Sequence, residues 1–143
     1  MEDVKAEKSI PIKPEIDNAT IAAVLSSSLF YWDYIAHTDC RNLTKSFIDN
    51  FRIPGALLND TSVAVKGKFL FADYEANKYK KDTFYQTTGR NVVYYEYYPK
   101  LSKRLIDIID EAIAQHYGFT QEEVDYIANF DIKFRMGSEL NEE

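Results

Sequence analysis

Ala22-Ala23-Val24-Leu25-Ser26-Ser27-Ser28-Leu29-Phe30-Tyr31-Trp32, running on to Asp39-Cys40-Arg41-Asn42-Leu43, is the stretch on which the reading of this chain turns. Ile21, Val24 or Leu25, Ser28, Trp32, Ile35 and Ala36 recur at helical spacing. Asp17 or Asn18 supplies a side chain suited to cap the start. The pattern predicts one helix ending near His37-Thr38. Three consecutive serines in mid-helix are unusual, because serine hydroxyls compete for backbone hydrogen bonds. Small residues there would let another backbone approach closely. Asp39-Cys40-Arg41-Asn42 has the chemistry of a turn.

Outward from this stretch, Ser9-Ile10-Pro11-Ile12 fits a short N-terminal strand, confined to a sheet edge by Pro11 and Pro14. Thr44 is placed to cap a short helix over 45–50, and Phe51-Arg52-Ile53 must run extended into Pro54. Residues 56–81 read as one long helix. Its expected stripe is Leu58, Ser62, Val65, Phe69, Ala72 and Ala76, widened by Val63, Leu70 and Tyr74, with Gly67 as a weak point. Thr83–Thr87 and Val92–Tyr98 are rich in β-branched and aromatic residues around Thr88-Gly89-Arg90-Asn91, which predicts a hairpin over 83–98 lying on the helices. Pro99 opens another helix with a stripe of Leu101, Leu105, Ile108, Ile109 and Ala112, stopped by Gly118. Thr120-Gln121-Glu122-Glu123 is a capping box for a last helix. Residues 130–137 are expected to dock through Phe130, Ile132, Phe134 and Met136. The expected fold is therefore α+β, mainly helical: four to five helices, one hairpin and a short N-terminal edge strand.

The chain of 143 residues suffices for a single domain with a sizeable core. It contains 11 Tyr and 9 Phe, which argues against disorder. No apolar run reaches bilayer length. One cysteine cannot staple a fold, which points to a reducing cytoplasm. The net charge of −6 is unevenly spread: −2 over 1–54, +4 over 55–104 and −8 over 105–143. A polyanion would be drawn to the middle and repelled by the end. Lys66, Lys68, Lys78, Lys80 and Lys81 serve either phosphate contact or plain solvation of a helix face.

Residue chemistry offers little catalysis. Asp131-Ile132-Lys133, with Asp125 upstream, matches half of a magnesium-nuclease pattern, but structural ion pairs mimic such sites. His37, Asp39 and Cys40 have no zinc-ligand spacing, and nothing orients His37 as a base for Cys40. Arg41-Asn42 is the best binding candidate, since these side chains read guanine and adenine edges bidentately. The competing structural reading pairs Arg41 with Asp39 and uses Asn42 to brace the turn. The tyrosines Tyr94, Tyr95, Tyr97 and Tyr98 occupy both faces of a strand, one expected in the core, the other suited to stacking on bases or on a neighbouring domain.

The blocks "LSSSLFYW", "DCRNLTK" and "IDNFRIP", with Tyr98–Lys103, Ile106–Asp110, His116–Thr120 and Asp131–Gly137, resemble a family. It is the large single-chain restriction-modification enzymes that join a restriction endonuclease to an adenine-specific DNA methyltransferase. The resemblance covers roughly residues 19–137. It implies a non-catalytic C-terminal fragment, with 1–54 as the end of a target recognition domain, 55–82 as a connecting helix and 83–143 as a hairpin plus helical end. The implied partners are double-stranded DNA and the methyltransferase domain of the parent enzyme. The candidate DNA contacts are Arg41, Asn42, Lys45, Arg52, Lys78, Lys80, Lys81 and Arg90. S-adenosylmethionine and magnesium would bind elsewhere in that parent. This chain lacks both the glycine-rich donor loop and the Asn/Asp-Pro-Pro-aromatic loop, so no cofactor is expected on it. The alternative is a scaffold or dimerisation module using the helix over 56–81.

Overall fold

Asp17 starts the first helix by accepting the backbone N–H of Ala19 at 2.8 Å. The computed structural model describes residues 9–136. Helix α1 spans Asn18–Ser26 and α2 spans Ser28–His37, so the single expected helix is two. Ser27 separates them with ψ at 155°. Its hydroxyl accepts from the N–H of Phe30 at 3.2 Å and donates to the carbonyl of Val24 at 2.6 Å, capping one helix and closing the other. The break rotates the buried face, which carries Ala23 and Val24 before it and Ser28, Leu29 and Phe30 after it.

Thr44 caps α3 (Lys45–Asn50) as expected. The long helix predicted over 56–81 is instead α4 (Gly55–Leu58) and α5 (Thr61–Asn77). The break falls at Asn59-Asp60, where the Asp60 carboxylate accepts the N–H of Ser62 at 2.9 Å and restarts the helix. Gly67 does not break it. A Cβ there would lie 2.2 Å from the carbonyl oxygen of Ala19, so glycine permits the close crossing of α1 and α5. The close backbone approach expected at the serines occurs here. The stripe also has a different phase: Val63, Ala64, Gly67 and Leu70 are buried, whereas Val65 and Phe69 are exposed.

Strands β1 (Tyr79–Tyr85) and β2 (Arg90–Glu96) form an antiparallel hairpin. It begins earlier than predicted and turns at Gln86–Gly89, with Gly89 at φ +64°. No residue of it is buried. The expectation that one tyrosine face belongs to the core is therefore overturned. Residues 9–12 form no strand: the hairpin strands pair only with each other, and Pro11 and Pro14 remove donors nearby.

Pro99–Ser102 is a 3-10 turn leading into α6 (Lys103–Tyr117), which Gly118 ends at φ +69°. The capping box at Thr120 and Glu123 forms and opens α7 (Gln121–Asn129). Helix α8 (Ile132–Met136) docks through Ile132 and Met136, but Phe134 is 87% exposed, contrary to expectation. Helix α6 is the hub, touching α1, α2, α4, α5 and α7. Its fully buried Ile106, Ile109 and Ile113 meet Leu57 and Leu70, each burial contributing roughly 1.5–3 kcal/mol. The predicted Leu101 and Ile108 face solvent instead, because the core lies one residue further round. The fold is α+β and mainly helical, with more helices than expected. Among the described residues no helix is long and apolar enough to cross a membrane.

Candidate nucleic-acid interface

Lys80, Lys81 and Arg90 reach their positions through strand alternation, not through a helix face. Register pairs Tyr79 with Glu96, Lys81 with Tyr94, Thr83 with Val92 and Tyr85 with Arg90 on one face. The opposite face pairs Lys80 with Tyr95, Asp82 with Val93 and Phe84 with Asn91, and all six of these residues are exposed. A strand of this length rises on the order of 20 Å. The ribbon thus presents a lysine, an aspartate, two aromatic rings, a valine and an amide along one open face.

Several charges are already engaged near its base. Lys78 precedes β1, bonds Glu75 at 2.5 Å and lies 4.5 Å from the centroid of the Tyr95 ring. The hydroxyl of Tyr97 donates to Glu75 at 2.9 Å, and together Lys78 and Tyr97 hold that carboxyl below its usual range. Lys81 sits 3.6 Å from Glu96, whose other partner is the Tyr98 hydroxyl at 2.5 Å. Tyr98 holds the Glu96 pKa down, while Glu96 pushes that of Tyr98 up. Lys80 is exposed beside Tyr95.

The other predicted contacts gather in the α2–α4 connection. Cys40 adopts a left-handed backbone at φ 58°, and Asp39 accepts the backbone N–H of Arg41 at 3.1 Å. Asp39 therefore braces the turn through the main chain and leaves the Arg41 guanidinium exposed, with Asn42 beside it. Lys45 pairs with Asp49 one turn along α3. Arg52 is exposed, while its carbonyl accepts the Tyr117 hydroxyl at 2.6 Å. The eight candidates thus form two sets, one on the ribbon and one on this connection.

Elsewhere, Asp125 accepts from Gln121 within α7, and Asp131 precedes α8 at φ 51°. Among the described residues no three His, Cys, Asp or Glu side chains cluster to hold a metal ion. Sequence reasoning missed the network of Ser28, Asp110 and Arg135, which joins α2, α6 and α8. Its one visible signal was Arg135 as a rare cation in the acidic C-terminal third. No family model matches the sequence, no curated protein matches it, and no solved structure matches the fold.

Proposed function

We propose that this chain is a non-catalytic DNA-contacting module of the restriction-modification class, helping to hold a methyltransferase–endonuclease on its target. One observation carries the reading: an aromatic β-ribbon bearing Lys80, Lys81 and Arg90 stands largely exposed in a chain that is otherwise acidic. Two-stranded ribbons fit DNA grooves. Lysine neutralises phosphate, and exposed tyrosine offers a stacking surface. Arg41 and Asn42, displayed on a braced turn after α2, would add base reading. The resemblance in the blocks around residues 25–54 and 98–137 supports the same class. On this reading the chain has no catalytic role of its own, and S-adenosylmethionine, magnesium and the reaction steps belong to the rest of the parent.

The test is duplex DNA binding by fluorescence anisotropy across a salt series. Affinity should fall steeply with salt, Lys80→Ala should lower it on every sequence, and Arg41→Ala should relax preference at one base position. Absence of binding at low salt would refute the reading. A second reading has its own support: Val65 and Phe69, 49% and 64% exposed, lie one turn apart on α5. A scaffold or dimerisation module would use that face, and sedimentation would then show a concentration-dependent dimer that Phe69→Lys dissolves.

A further inference from the structure

Between α1, α2, α5, α6 and α8 lies a cleft of about 440 Å³. Its volume is in the range of small-molecule sites. Phe30, Tyr31, Tyr34 and Tyr74 supply aromatic wall, and Leu43 stands beside it, 43% exposed, on the loop before α3. Burial raises the pKa of the Tyr74 hydroxyl, which faces Ser26 across the cleft. Among the described residues one cation lines this apolar space, Arg135 of α8.

Among the described residues Arg135 is held in place without a contact ion pair. Its Nη2 donates to Ser28 Oγ at 2.9 Å, and its Nη1 donates to the carbonyl of Phe130 at 3.5 Å. The guanidinium carbon lies 4.6 Å from the centroid of the Tyr31 ring. Among the described residues no carboxylate comes within ion-pair distance of it. Asp110, Asp107 and Asp131 act on it only through space. Arginine stays charged in proteins, and its planar donors match a carboxylate in a way ammonium does not. A half-buried guanidinium whose carboxylate partners act only from a distance keeps donors for an anion that arrives with its own apolar cover.

We propose that this cleft binds a small organic carboxylate with a flat apolar body. The carboxylate meets the remaining N–H donors of Arg135, and the body lies between the rings of Phe30, Tyr34 and Tyr74. The site is separate from the ribbon and does not depend on DNA binding. Its two ends are formed by the serine break between α1 and α2 and by α8, which carry none of the eight candidate DNA contacts.

The probe is 2-naphthoate, with its uncharged amide, 2-naphthamide, as the matched control. Binding is followed by carbon-13 methyl NMR of the full chain. The carboxylate should shift the methyl signals of Leu25, Leu43, Ile106 and Met136 saturably. The amide should bind roughly tenfold or more weakly, since a charge-assisted bidentate contact is lost. Arg135→Gln should abolish the difference between the two probes. Leu43→Trp, at an exposed position, should fill the cleft and block both. Equal binding of the two probes to the unaltered chain overturns the proposal, as does the absence of shifts at these methyls. If Arg135→Gln does not fold, the paired probes and Leu43→Trp decide alone, and unchanged binding to Leu43→Trp also counts against the site.

Discussion

The carboxylate of Asp110, in the middle of α6, accepts the backbone N–H of Ser28, the first residue of α2, at 2.7 Å. Ser28 and Asp110 are both buried, and among the described residues the second Asp110 oxygen has no hydrogen-bond partner. Helix α6 thereby fixes the point where the serine break redirects the chain. Burial pushes the Asp110 pKa from 3.8 up to about 6, against the opposing pull of Ser28, Lys103 and Arg135.

This shift sets a pH dependence. In the folded chain Asp110 holds its proton up to higher pH than it does unfolded, so its contribution is full below pH 4 and is lost as pH rises through 6. The total is on the order of 3 kcal/mol. Asp110→Asn keeps an acceptor for Ser28 and removes the charge. Urea titrations from pH 4 to 7 should show the stability of the native chain falling relative to Asp110→Asn. Parallel pH curves for the two would refute this.

Asp60 behaves in the opposite sense. His116 Nε2 lies 2.7 Å from its carboxylate and is the main reason its pKa is lowered to about 2. Its contribution is present above the unfolded pKa of 3.8 and is lost as pH falls toward 2. Asp60→Ala also removes the cap of α5 and should destabilise by about 1 kcal/mol or more at neutral pH. Asp60→Ser should recover the cap and lose the fall in stability between pH 4 and 2 that Asp60 causes, as followed by far-ultraviolet circular dichroism.

Gly67→Ala should run against helix propensity. In a solvent-facing helix the change would stabilise by about 1 kcal/mol. Here the added carbon meets the backbone of Ala19 at 2.2 and 2.9 Å, and α1 must move away from α5. A net loss of about 2 kcal/mol is expected in denaturant titrations. Gly55→Ala, whose Cβ meets nothing within 4 Å, is the control and should be near neutral.

Tyr95→Ser and Lys80→Ala test the ribbon. Both side chains are exposed, so melting temperature should change little. DNA affinity should fall in both, with the salt slope reduced only for Lys80→Ala. Unchanged affinity in both variants would remove the ribbon from the interface.

Which features the sequence disclosed follows from how local their causes are. Asp17, Thr44, the Thr120–Glu123 box and Gly118 act within a turn of chain, and each forms where their side-chain chemistry places it. Helix phase is not local. Segment 61–77 carries apolar residues on several sides, and packing against α1 and α6 selects Val63 and Leu70 over Val65 and Phe69. The serine run announced a disturbance, but not that Asp110, 82 residues away, would anchor the break to α6. The candidate contacts were legible as residue types. Their arrangement was not, because the helical pattern over 56–81 runs through Lys80 and Lys81, whereas the helix stops at Asn77. Arg135 drew no notice, since its environment is assembled from five distant segments.

Tyr79 and Glu96 face each other across the foot of the ribbon, so the chain departs from the end of α5 and returns to Pro99 at nearly the same point. Asp73 and Ser102, bonded at 2.5 Å, lock that doorway from the helical side. The ribbon thus leaves the helical body and rejoins it at a single place. Another two-stranded finger, longer or differently charged, is expected to graft onto the same foot without repositioning α5 or α6.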